Sequence, residues 1–132
     1  MTKVIIVMIT LVLFTNACLP TSQIQSITAT PPETEAQMIK EWSGSGDKTT
    51  EPFTISSSPW VIEWEKNPES RVASMLLIMV YSPGSNIPVE IFESGSDIDY
   101  ETDTNYIYHI GTFYLEIGAA ACDWNIKIIG IP

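Results

Sequence analysis

The segment DWNIKI, residues 123–128, carries the clearest structural signal in the chain. Its apolar residues, Trp124, Ile126 and Ile128, alternate with polar ones. Successive side chains of a β-strand point to opposite faces of a sheet, so the segment predicts a strand with one buried and one solvated face. The segment WVIEWE at residues 60–65 shows the same alternation.

Similar short segments recur every eight to twelve residues from residue 42 onward, with turn residues such as SPGSN (82–86) between them. Residues 73–81 (ASMLLIMVY) are apolar on both faces, which predicts a central strand covered by two layers. This spacing is typical of all-β domains. We therefore predict a two-layer antiparallel β-sandwich of about 7–8 strands. Further strands are predicted around residues 53–55, 87–92, 106–110 and 112–117.

The N-terminus has the three-part layout of a secretory signal. A cationic start (MTK) precedes residues 4–14, which are apolar apart from Thr10, and TNA then leads into Cys18. A cysteine directly after a small residue resembles the lipobox of bacterial lipoprotein precursors. The resemblance implies that Cys18 is acylated and becomes the first residue of the mature chain. It also implies attachment to the extracytoplasmic face of a membrane of the cell envelope.

Two other interpretations of the N-terminus remain. Ordinary signal cleavage near Ala17 would leave Cys18 free, or bonded to Cys122 in a disulfide. An uncleaved anchor is also conceivable, but the apolar run is shorter than the about 20 residues of a membrane-spanning helix. The predicted organisation is a signal peptide (1–17), a flexible tether (18–40) and a β-sandwich domain (41–132). The tether is rich in Ser, Thr, Gln and Pro, although a short helical turn near residues 33–42 is compatible with its end.

The chain is strongly acidic, with 16 acidic and 6 basic residues and a formal charge of −10. Loss of Lys3 with the signal would make the mature charge −11, because every acidic residue and the other basic ones follow Cys18. Such a surface repels nucleic acid, so no nucleic-acid partner is predicted.

The domain also resembles small prokaryotic exported domains. Four segments carry the resemblance: residues 42–53 (WSGSGDKTTEPF), 60–64 (WVIEW), 111–117 (GTFYLEI) and 124–128 (WNIKI). It covers nearly the whole domain and implies an exported β domain, but it brings no assigned activity.

An acidic segment follows the strand predicted at residues 87–92. Asp97, Asp99, Glu101 and Asp103 alternate along it and supply the oxygen ligands that calcium prefers. Their spacing fails the EF-hand pattern, because Thr102 stands where the loop needs glycine. A solvated acidic loop and a weak calcium site are the two alternatives. Glu93 and Asn105 are the predicted additional ligands.

The chain is rich in aromatic residues. Trp60, Trp64 and Trp124 share strand faces with aliphatic residues and are predicted to lie in the core. Tyr100, Tyr106 and Tyr108, near the acidic segment, are predicted to be exposed. Exposed aromatic rings on a sandwich can stack on sugars, so these three residues are the candidate ligand-binding set.

No catalytic signature is present. His109 is the only histidine, and it has no nucleophile motif beside it. Cys122 has no CxxC partner and is predicted to be a buried thiol. We therefore predict a non-enzymatic, lipid-anchored protein-interaction or envelope accessory module without a cofactor. The alternative is a ligand-binding module, for carbohydrate or calcium, centred on residues 97–108.

Overall fold

The computed structural model describes residues 35–132, and all the regular structure in this range is β. No helix within these residues has the length and apolar character needed to cross a membrane. The strands are β1 (Gln37–Ser45), β2 (Lys48–Thr49), β3 (Phe53–Ile55), β4 (Trp60–Pro68), β5 (Met75–Tyr81), β6 (Glu90–Glu93), β7 (Glu101–Ile107), β8 (Gly111–Ala120) and β9 (Cys122–Gly130).

The strands form two antiparallel sheets. Sheet A has the order β1-β9-β4-β7, and sheet B has the order β2-β8-β5-β6, with β3 also paired to β8. The predicted all-β, antiparallel sandwich is thus confirmed. Its strand number exceeds the prediction because β1 and the two-residue β2 were not recognised in the sequence.

The core lies between the sheets and contains the inward-facing residues that the alternating segments predicted. Trp60 is at its centre, fully buried, with ring centroids 5.7 Å from Phe53 and 5.6 Å from Phe113. Trp60, Trp64 and Trp124 are at most 4% exposed, so their interpretation as core residues is confirmed, and Trp42 is buried as well. Each indole N–H has an acceptor, which is how a large amphipathic side chain can be buried without loss of a hydrogen bond.

β1 begins at Gln37, before the predicted domain boundary at residue 41. It pairs with β9 from Gln37 opposite Gly130 to Ser45 opposite Asp123, so residues 37–40 belong to sheet A and not to the tether. The same pairing excludes a helical turn there. The strand was missed because it lies at a sheet edge and buries only Trp42. Residues 18–34 of the predicted tether, with Cys18 and the signal, lie outside the described residues.

β5 is central within sheet B but is not covered on both faces by the described residues. Leu76, Ile78 and Val80 are buried between the sheets, whereas the alternate residues point outward and stay half-exposed. The prediction that residues 73–81 are covered by two layers is therefore wrong. The apolar character of the outward residues needs another explanation.

Candidate functional site

The acidic segment is built around a buried lysine. Lys66 follows Trp60, Ile62 and Trp64 at the inward positions of β4, and its side chain is fully buried. Its ammonium donates hydrogen bonds of 2.8 Å to the Gly95 carbonyl and 2.8 Å to Asp97 Oδ1. Glu101 Oε2 lies 3.4 Å from the same nitrogen. A buried ammonium must be paired and hydrogen-bonded, and this one is.

Backbone and side-chain hydrogen bonds hold the acidic segment in place around the ammonium. The Ser74 amide donates to the Asp97 carbonyl at 2.7 Å, and the Gly95 amide donates to Glu101 Oε2 at 2.9 Å. The Asp99 amide donates to Asp97 Oδ1 at 3.2 Å. Asp97 and Glu101 are thus fixed as counterions of Lys66.

The four predicted calcium ligands do not converge. Asp97 and Glu101 face Lys66, whereas Asp103 accepts hydrogen bonds from the Thr104 amide and the Asn105 side chain. Residues 35–132 contain no group of three or more His, Cys, Asp or Glu side chains arranged to hold a metal ion. Asp97 and Glu101 thus already have a cation in Lys66, and the weak calcium site stays a prediction. Of the two further ligands predicted, Glu93 lies on β6 and Asn105 accepts a hydrogen bond from Trp64 Nε1.

The two partners shift each other's pKa. Burial lowers the pKa of Lys66, but the hydrogen bonds and charges of Asp97 and Glu101 outweigh it and raise the pKa above its ordinary value. The hydrogen bond from Lys66, followed by that from the Asp99 amide, holds the pKa of Asp97 below its ordinary value. Both shifts favour the charged forms.

Stability should therefore depend on pH at both extremes. The contribution of the lowered Asp97 pKa is complete above its ordinary value of 3.8 and is lost as pH falls through the lowered value. The contribution of Lys66 is complete below 10.5 and is lost as pH rises through the raised value. Urea unfolding of the wild type and Lys66→Met across pH should show a constant difference between these limits. In strong acid the difference should shift in favour of Lys66→Met, because protonated Asp97 no longer compensates the buried ammonium. A difference that persists unchanged in strong acid would contradict the ion-pair assignment.

The three predicted tyrosines are exposed, as expected, with exposed fractions of 58% for Tyr100, 56% for Tyr106 and 72% for Tyr108. They occupy alternate positions along β7 and its ends, on the outer side of sheet A, away from the core. Tyr100 donates a 2.8 Å hydrogen bond to Glu65 Oε2, and this bond raises the pKa of its phenol. The ring of Tyr100 is therefore held toward β4.

His109 and Cys122 lie in different surroundings. Within residues 35–132, His109 Nε2 is 3.9 Å from Glu90 Oε1, and both side chains are largely solvated. Cys122 is 1% exposed, and burial raises the pKa of its thiol. A raised thiol pKa opposes nucleophilic reactivity, which supports the interpretation of Cys122 as a small packed side chain.

Sequence reasoning missed the outer side of sheet B. Here the outward residues of β5 form one apolar surface with a residue from each neighbouring strand. We call this surface the apolar face: Met75, Leu77, Met79, Tyr81, Tyr114 and Ile91. The Tyr81 and Tyr114 rings stack at 5.5 Å with an interplanar angle of 17°. The sequence feature that could have revealed this surface is the apolar run of residues 73–81. Such a run is expected for a strand with an apolar outer face as well as for a strand covered by two layers.

No protein-family model, no curated protein and no solved structure matches this chain.

Proposed function

We propose that this protein is a non-enzymatic interaction module, held at the extracytoplasmic face of a membrane by a lipidated Cys18. The apolar face is its contact surface for a protein partner. The observation that carries this proposal is the composition of β5, whose outward residues are all apolar. Antiparallel sheets with one solvated side normally alternate apolar and polar residues.

The composition of the apolar face is that of a protein interface. Methionine and tyrosine are enriched at the centres of such interfaces, and Met79 lies beside the stacked pair of Tyr81 and Tyr114. Ile91, on the adjacent β6, is 56% exposed. Contiguous exposed apolar surface on an otherwise acidic chain marks a site of association.

The charges around the apolar face indicate the chemistry of the partner. Glu116 lies opposite Met79 on β8, and Glu93 lies opposite Leu77 on β6. The two glutamates are two strand spacings apart across the sheet and two residues apart along it. The diagonal distance between their Cα atoms is therefore about 12 Å. A partner with basic side chains around an apolar centre complements this arrangement, whereas a second copy of the chain would oppose carboxylate to carboxylate.

A photo-reactive residue at position 79 tests the contact surface. In native membranes, we expect it to form a cross-link to one discrete protein, and the same residue at position 104 on sheet A should not. Leu77→Lys should abolish the cross-link without unfolding the domain, because Leu77 is only half-buried. Thr104→Lys, exposed on the other sheet, is the matched control and should leave the cross-link intact. Equal cross-linking from positions 79 and 104 would contradict the assignment.

The anchor is tested separately by the intact mass of protein purified from native membranes. We expect a chain that begins at Cys18 and carries the mass of its acyl chains, with Cys18→Ser left unprocessed. Stable attachment requires more than one acyl chain. A chain that lacks acyl mass and is two hydrogens light would instead indicate a Cys18–Cys122 disulfide and an unanchored protein.

A further inference from the structure

A continuous trough runs along the outer side of sheet A, on the opposite side of the sandwich from the apolar face. Its floor is the outward row of β4, from Val61 through Glu63 and Glu65 to Asn67. Three hollows of about 180, 60 and 250 Å³ follow one another along this row. The first two share Glu63, and the second and third share Glu65.

The strand register determines which side chains form the walls. Val61 lies between Tyr106 of β7 and Ile129 of β9, which makes the first end of the trough apolar. The middle of the trough is polar along both walls. Its lining there consists of Glu63 between Thr104 and Lys127, followed by Glu65 between Thr102 and Asn125.

Aromatic rings stand at both ends of the polar part. Tyr106 is 56% exposed above Val61, and Tyr100 is 58% exposed with its hydroxyl bonded to Glu65. The two tyrosines are six residues apart on a nearly extended chain. At the usual rise of a strand, this places their Cα atoms about 20 Å apart. That distance is the span of a short linear oligosaccharide.

Two charged groups in the middle of the trough, Lys127 and Glu63, are available to a ligand. The neighbouring Glu65, Thr102 and Asn125 already form hydrogen bonds within the protein. The Lys127 ammonium and the Glu63 carboxylate are on directly paired residues of β9 and β4. Nevertheless, no ion pair among the described side chains joins them, although opposite charges at such positions normally attract. A donor and an acceptor side by side can bind neighbouring sugar hydroxyls.

We propose that this trough binds a neutral, linear oligosaccharide, with its terminal sugar rings stacked on Tyr106 and Tyr100. Lys127 and Glu63 supply hydrogen bonds to hydroxyl groups between the two rings. The ligand is neutral because the chain carries a formal charge of −10, which repels polyanionic glycans. This site is independent of the membrane anchor and of the apolar face.

Calorimetric titration of the full chain tests the proposal, in a zwitterionic detergent because sugar-headed detergents would compete. The probes are cellotetraose, maltotetraose and tetra-N-acetylchitotetraose. We expect at least one to bind, and Tyr106→Ala and Tyr100→Ala each to weaken it about tenfold through loss of a stacked ring. Tyr106→Phe should retain binding, because it keeps the aromatic face.

Tyr114→Ala is the matched control, since it removes a tyrosine from the opposite side of the sandwich and should leave the affinity unchanged. Near-ultraviolet circular dichroism confirms that each variant is folded, as expected for side chains that lie outside the core. Failure of all three probes to bind at millimolar concentration would overturn the proposal. So would binding that survives both Tyr106→Ala and Tyr100→Ala, or binding lost in Tyr114→Ala.

Discussion

Replacement of Trp60 by alanine should lower the free energy of unfolding by about 3–5 kcal/mol. The side chain is fully buried between the sheets, where it contacts the rings of Phe53 and Phe113. Its indole N–H also donates a 2.7 Å hydrogen bond to the His109 carbonyl, which the variant would leave without that donor. Domains of this size are stable by only about 5–15 kcal/mol, so the variant should lose a large share of the domain's stability.

Urea unfolding monitored by far-ultraviolet circular dichroism measures this loss. Trp60→Phe separates its two components, because it keeps an aromatic ring in contact with Phe53 and removes only the hydrogen bond and part of the volume. We expect it to cost less than half as much as alanine. Tyr108→Ala, an exposed control, should change stability by at most about 0.5 kcal/mol. A loss below about 1 kcal/mol for Trp60→Ala would show that Trp60 is not central to the core.

Neutralising both counterions of Lys66 should lower the melting temperature by about 10 °C or more. Asp97→Asn combined with Glu101→Gln leaves a fully buried ammonium that keeps neutral hydrogen-bond acceptors, such as the Gly95 carbonyl, but has no carboxylate to compensate its charge. The effect comes from an uncompensated buried charge, which costs far more than the loss of an exposed ion pair.

Lys66→Met provides the decisive comparison, because it removes the buried charge and fills nearly the same volume. Asp97 and Glu101 are 45% and 35% exposed in their side chains, so water can solvate both carboxylates when the ammonium is gone. We expect Lys66→Met alone to be much milder than the double variant, and to restore most of the lost stability when added to it. If the triple variant melts as low as the double variant, the destabilisation does not arise from the charge of Lys66.

The sequence predicted the strands in which apolar and polar residues alternate in step with buried and exposed positions. In β4 and β9 the tryptophans and isoleucines alternate with polar residues, and both strands are central in sheet A, so one face of each is buried. β1 was not predicted because an edge strand buries little and therefore needs no apolar pattern. Sheet order and register depend on contacts between distant segments, such as Trp42 opposite Ile126, which no local pattern encodes.

The candidate site was predicted only in part. The exposure of Tyr100, Tyr106 and Tyr108 was predicted correctly, but the pairing of the acidic segment with Lys66 was not predicted. The sequence did contain a sign of this pairing, because Lys66 occupies the next inward position of β4 after Trp60, Ile62 and Trp64. A lysine at that position in an acidic chain needs a carboxylate nearby. The sequence does not show which carboxylates fold back to it, because 31 residues separate Lys66 from Asp97.

The position of β9 also determines when the domain can fold. This strand pairs with β1 on one side and β4 on the other, so β1 cannot be joined to the rest of sheet A before β9 has been synthesised. Glu41 and Asn125 bond across the β1–β9 pair although they are 84 residues apart. Closing such long loops makes folding slow, on the order of milliseconds to seconds. A nascent chain with this topology cannot complete sheet A until β9 has been synthesised.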